Sequence, residues 1–155
     1  MLISQDYQDQ LLKMRAKTHR PNWGNGGTSH VPRVQDLIEA RDIITVLDYG
    51  AGHGILLKEL IKSGAVSEEN AQFYDPGIPE YSDSPVPADL VVSTDVMEHI
   101  EPEYLDEVLN HLSSLTLHRA RVFRRSIKPL ILFNPVGGLH QYTHRTSSSG
   151  TTRWT

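Results

Sequence analysis

Gly50, Gly52 and Gly54 alternate in the stretch VLDYGAGHG, residues 46 to 54, directly after an apolar run. An apolar strand running into a Gly-x-Gly-x-Gly turn is the form of a nucleotide-cofactor cradle. One missing side chain tightens the turn, the next admits a ligand to the backbone, and the third lets the following helix start close to the strand. Ala51 falls inside the same cradle. By itself the turn also fits nicotinamide and flavin sites, and an ordinary strand-to-helix turn is its plain structural reading. Asp48, two residues ahead of the first glycine, narrows the choice. A carboxylate there orients loop amides or meets a cationic ligand group, and buried without such partners it is costly.

Two further groups stand at comparable positions. Asp75 follows Gly50 by 25 residues in AQFYDPG, residues 71 to 77, where Rossmann-like folds put an acidic side chain on the ribose hydroxyls. An Asp-Pro-Gly turn through Pro76 is the structural alternative, since Asp favours turns anyway. The third group is STDVMEHI, residues 93 to 100, just past the run ADLVV; it brings Asp95, Val96, Met97, Glu98 and His99 to the same sheet edge. Asp95 either meets a cofactor amino group or shapes the loop. Glu98 and His99 are the candidate bases, although for His99 alone a backbone hydrogen bond is the favoured role. Adjacent helical residues do not face one another, so this pair predicts no metal site. The eight histidines lack metal-ligand spacing elsewhere, and the absence of cysteine removes thiol nucleophiles, Cys-ligated zinc and disulfides together.

The elements that position these groups follow from periodicity. Residues 5 to 18 read as a short amphipathic helix with Tyr7, Leu11 and Met14 on one side, and RPNWGNGGTSH after it as a loop. Trp23 in that loop is either a lid over the site or, more simply, a surface anchor. Thr28 or Ser29 caps a helix from about Pro32 to Ala40, with Val34, Leu37 and Ile38 as its apolar stripe. Ile43 to Leu47 is β-branched and nearly continuously apolar, as a central parallel strand requires. A helix follows over Ile55 to Ser63, stopped by Gly64. Strands at residues 71 to 77 and 88 to 95 and a helix over Glu101 to Leu117 complete a β-α-β-β-α order. That order predicts an α/β fold: a Rossmann-like, doubly wound, mostly parallel sheet whose ligands bind at the carboxyl ends of the strands. KPLILFN, residues 128 to 134, is one further strand candidate in a tail with neither period nor turn logic.

With 155 residues, 38% hydrophobic and 22% charged, the chain fits one domain. A formal charge of −4 offers no global attraction to a phosphate backbone; the basic run HRARVFRR, residues 118 to 125, leaves local nucleic-acid contact open. No segment has the length of a signal peptide core or a bilayer span, so the expectation is a cytoplasmic protein without a membrane partner.

Taken in order, VLDYGAGHG, FYDPGIPEYS and ADLVVSTDVMEHI resemble the motifs of class I S-adenosylmethionine-dependent methyltransferases, especially small phage-type members, over roughly residues 20 to 117. The resemblance implies S-adenosyl-L-methionine as cofactor. It places Asp48, Gly50, Ala51, Gly52 and Gly54 around the methionyl part and Asp75 with Pro76 at the ribose. Asp95, Val96 and Met97 fall near the adenine or methionyl edge. His53 stands where relatives often carry lysine, which removes one fixed charge but leaves the glycine path intact. It implies methyl transfer by direct in-line displacement to an acceptor that no residue identifies; the Pro-Pro-Tyr signature of base amino methylation is absent, and STDV stands in its place. The oligomeric state is unreadable. Relatives continue with an apolar fifth strand and a Glu-Trp-Trp-like motif that this chain lacks in clear form. One account is a frame change after about Val122, because codons permitted for His144 to Thr155 also read AQDVVEWYDTLD in another frame. The sheet then lacks its usual closing C-terminal strands. That tail motivates two alternatives: a non-catalytic S-adenosylmethionine-binding or interaction module, and a cofactor-degrading enzyme.

Overall fold

A computed structural model describes residues 2–16, 26–117 and 130–133. Trp23, the basic run at 118 to 125 and the segment from His144 onward lie outside the described residues. The order is α1 (Gln5–Ala16), α2 (Val31–Arg41), β1 (Val46–Tyr49), α3 (Ile55–Lys62), β2 (Ala71–Tyr74), β3 (Leu90–Thr94), α4 (Leu105–Ser114) and β4 (Leu130–Phe133), with short 3-10 turns between.

The four strands form one sheet in the order β2-β1-β3-β4. β1 lies between β2 and β3, parallel to both, with Asp48 opposite Phe73 on one side and Val92 on the other. β4 pairs antiparallel with β3, Val92 opposite Leu132. The chain leaves β1, returns through α3 to β2 on one side, and then crosses to β3 on the other. This puts the switch point of a doubly wound α/β sheet at the carboxyl ends of β1 and β3. Residues 130–133 thus take up the strand expected from KPLILFN.

Period-2 alternation divides the core between the two faces of the sheet. Val46, Leu90 and Val92 join Val34 and Ile38 of α2 and Leu56, Leu57 and Leu60 of α3 on one face. Leu47, Tyr49, Tyr74 and Val91 join Val108 and Leu112 of α4 on the other. All four β1 residues are buried, so this strand has no solvated face and its apolar run is continuous but for Asp48. Burying each such aliphatic side chain contributes about 1.5–3 kcal/mol, which makes β1 the strand on which both layers depend.

Several boundaries differ from expectation for local reasons. β1 begins at Val46 rather than Ile43, because the preceding residues are otherwise engaged. Asp42 caps α2 in the left-handed region (φ 50), and Ile43 N–H donates to the Ile38 carbonyl. The Asp89 carboxylate accepts from Ile44 N–H at 3.2 Å, Thr45 N–H at 2.9 Å and the Thr45 hydroxyl at 2.9 Å. The α2 cap falls on His30 rather than Thr28 or Ser29 and uses no side-chain bond, since the 3-10 turn Gly26–His30 runs straight into the helix. The helix expected from Glu101 divides into a 3-10 turn at Pro102–Tyr104 and α4. Its expected last turn opens so that Leu115 C=O and Leu117 N–H bond the two backbone groups of Ala88. Gly64, at φ 79, ends α3 as expected. No helix among the described residues is long and apolar enough to cross a membrane.

Candidate functional site

A cavity of about 320 Å³ opens at the carboxyl ends of β1, β2 and β3, the place the switch point favours and a size suited to a cofactor. Asp48, Gly50, Ala51 and Gly52 from the first turn, Asp75 and Pro76 from the second, and Asp95, Val96 and His99 from the third all line it.

The first turn is built to hold its shape. Gly50, Gly52 and Gly54 have φ of 78, 57 and 68, a region in which a side chain is strained. A Cβ on Gly50 would stand 2.4 Å from Val96 Cγ2, so the absent side chain lets the first and third turns touch. A Cβ on Gly54 would stand 2.8 Å from the Phe73 ring. Gly54 does not line the cavity; it lets α3 start against β2. Gly50 N–H and Ala51 N–H both donate to the Tyr74 carbonyl, at 2.7 and 3.0 Å, and Gly52 N–H donates to Asp75 Oδ2 at 2.9 Å. The turn's amides are therefore spent on the end of β2, which fixes its geometry before any ligand arrives.

The two carboxylates at the cavity floor have different surroundings. Asp75 accepts from Gly52 N–H on Oδ2 and from Gly77 N–H on Oδ1, each at 2.9 Å. Asp48 is only 3% exposed, and no hydrogen-bond donor reaches its carboxylate among the described residues. Burial, reinforced by the negative charge of Asp75, pushes the Asp48 carboxyl up to about 7. In the third turn Asp95 adopts φ 54, left-handed backbone that an Asp tolerates better than most side chains, and Met97–His99 form a 3-10 turn. Three carboxylates thus line the cavity, with no lysine or arginine among the described lining residues.

Met97 and Glu98 stand outside the lining. Met97 packs against the α4 side of the core, Glu98 is exposed, and His99 is an exposed side chain at the cavity edge. The structure therefore brings together most of the sequence-expected positions but separates the two candidate bases.

One wall comes from the N-terminus. Leu2, Ile3, Tyr7 and Leu11 line the cavity opposite the sheet. Ser4 N–H and Ser4 Oγ donate to the two Glu101 carboxylate oxygens at 2.9 and 2.7 Å, and Ser4 Oγ accepts from Tyr7 N–H at 3.0 Å, closing the first turn of α1. Gln8 Nε2 donates to the Pro76 carbonyl at 2.8 Å. α1 is thereby fastened to the loops after both β2 and β3. The apolar side seen in the sequence at Tyr7 and Leu11 was the available signal; it marks a buried face without saying against what.

A Gly-x-Gly-x-Gly turn and two acidic strand ends gathered on one parallel-sheet edge fit several nucleotide-binding families, and a match to one family decides among them. A family model described as a methyltransferase domain matches residues 4–123. The chain belongs to the methyltransferase family. Its α/β sheet, with three parallel strands between helices, agrees with the Rossmann-like fold of class I S-adenosylmethionine-dependent members. The matched region takes in α1 through α4 and ends at residue 123. No curated protein and no solved structure matches this methyltransferase chain.

Proposed function

We propose that this methyltransferase binds S-adenosyl-L-methionine in the cavity at the β1, β2 and β3 ends and transfers its methyl group to an acceptor by direct in-line displacement. The observation that carries the reading is the convergence of the glycine turn, Asp75 and the Asp95–Val96 segment on one cavity in a family member. The donor set fits the group. Three lining carboxylates, with no lysine or arginine among the described lining residues, suit a ligand that bears a sulfonium and an ammonium, and the Leu2, Ile3 and Leu11 wall suits an apolar ring face. When bound, the cofactor supplies an activated methyl that needs no covalent enzyme intermediate.

The chain's own residues then bind, align and exclude water. Asp48, Gly50, Ala51 and Gly52 surround the methionyl part, with Gly54 supporting the turn from behind. Asp75, which accepts from the Gly52 and Gly77 amides, receives the ribose hydroxyls in this reading, since each carboxylate oxygen takes more than one donor. Pro76, Asp95 and Val96 bound the nucleoside, and Met97 holds that loop to the core. α1 covers the cavity, so the reacting centre is withdrawn from bulk water, and alignment provides most of the acceleration. His99 at the cavity edge is the better placed of the two candidate bases for an acceptor that must lose a proton; Glu98, outside the lining, serves only through a water.

Gly52→Arg places a long side chain in the cavity from a left-handed position and is expected to abolish S-adenosylmethionine binding by calorimetry. Unchanged affinity in that variant would count against this placement. Methylated product from small-molecule, protein or nucleic-acid acceptors identifies an enzyme. Binding without turnover identifies a binding module, and release of methylthioadenosine or homoserine products identifies cofactor degradation.

A further inference from the structure

Asp48 and Asp75 share one cavity but differ in how their charge is met. Backbone amides satisfy both oxygens of Asp75, whereas Asp48, all but inaccessible within a buried strand, receives no donor among the described residues. A carboxylate in that position is costly, and a carboxylic acid is not. The arrangement sorts two acids by environment alone, as occurs where one must hold a proton that its neighbour does not.

We propose that Asp48 is the proton switch of this site: neutral while the cavity holds no cation, it releases its proton to solvent as a positively charged ligand enters. The proposal rests on the S-adenosylmethionine reading above. The ligand class it calls for is a nucleoside carrying a sulfonium or ammonium group, as against a neutral nucleoside of similar shape. In the empty site, burial and the charge of Asp75 keep the Asp48 carboxyl at about 7. A cation placed beside it favours the ionised form, so cation and proton compete, and binding strengthens as the pH rises.

The other titratable groups among the described lining residues are Tyr49 at the end of β1, Asp75 after β2, Asp95 and His99 after β3, and Tyr7 on α1; α3 contributes only apolar Ile55 and Leu56. Asp75 and Asp95 add carboxylates to the same cavity, and the described lining residues include no lysine or arginine. His99 is exposed at the cavity edge rather than buried on the floor, so its substitution serves as the control for Asp48.

The test is calorimetry of S-adenosylmethionine and of methylthioadenosine, its uncharged thioether relative, in pairs of buffers with different ionisation heats at pH 5.5 and 7. For S-adenosylmethionine we expect release of nearly one proton at pH 5.5 and about half at pH 7, with affinity rising about fifteenfold between them. Methylthioadenosine is expected to bind with no proton release and no such rise. Asp48→Asn should abolish the release for S-adenosylmethionine, and His99→Gln should retain it. Proton release that disappears in His99→Gln and persists in Asp48→Asn overturns the assignment. Tight S-adenosylmethionine binding with no proton release in the unaltered protein overturns the switch while leaving the cofactor reading intact. Failure of both nucleosides to bind overturns the cofactor reading and the switch with it.

Discussion

Asp48 interrupts an otherwise apolar β1, and the cost of that position falls on the fold as well as on the site. A buried acid whose folded-state pKa, about 7, stands above its unfolded value binds its proton more tightly in the folded protein. Folded stability from this group is therefore fully present below the unfolded value near 4 and is lost as pH rises through about 7. Asp48→Asn keeps the shape and removes the ionisation, so the empty variant should gain stability at pH 8 and little or none at pH 4. Thermal melts at the two values check this, with an expected gain on the order of 4 kcal/mol, or roughly ten degrees, at the higher pH. An equal gain at both would trace the effect to packing. The left-handed Asp95 belongs to the same scale, since a non-glycine residue persists there only where its surroundings fix it; Gly50, Gly52 and Gly54 adopt that region at little cost, and Tyr74 and Asp75 hold their turn.

α1 and α4 are the elements that close the two sides of the site, and each hangs on a few polar contacts. The Ser4–Glu101 and Gln8–Pro76 bonds hold α1 over the cavity. Ser4→Ala removes both a latch and the α1 cap, and the loss should appear as faster amide exchange across α1. Cofactor affinity should drop severalfold in that variant with little change in exchange at β1. α4 is held at its last turn by the Tyr49 hydroxyl and His111 Nδ1, 3.0 Å apart, with the Tyr49, Tyr74 and His111 rings packed together. Burial pushes the Tyr49 hydroxyl up and the His111 imidazole down, the latter partly offset by Glu107. With Tyr49 donating, Nδ1 must be the bare nitrogen, so protonating His111 destroys the acceptor. A histidine with a lowered folded pKa favours folding above the unfolded value near 6.5, and that advantage is lost as pH falls through the folded one. Stability should therefore decline in mild acid, and His111→Gln should flatten that part of the stability-against-pH curve.

For the whole molecule, a ligand in this cavity touches every layer at once: α1 on one side, the β1, β2 and β3 ends beneath, and α3 at Ile55 and Leu56. Such a ligand should stabilise the chain as one cooperative unit. At one hundred times its dissociation constant, S-adenosylmethionine is expected to add about 2.7 kcal/mol, raising the urea midpoint without changing the slope. A changed slope would mean that the ligand orders chain that the empty protein leaves open. The sequence alone determined the parts that are local. Glycines at 50, 52 and 54, the 25-residue step to Asp75 and the run into Asp95 are readable because strand, turn and helix each impose a short period on the chain. β1 starts three residues later than its apolar run predicts because Asp89, far along the chain, captures Ile44 and Thr45. Only tertiary structure decided that α1 is a wall of the site, through contacts 97 and 68 residues apart that no local pattern encodes. It alone showed that Glu98 stands apart from the cavity while His99 reaches its edge, a difference of side-chain direction in one turn. The carboxyl group at position 48 is visible in the sequence; that no donor among the described residues reaches it depends on the packing around β1, and that packing gives it a chemistry.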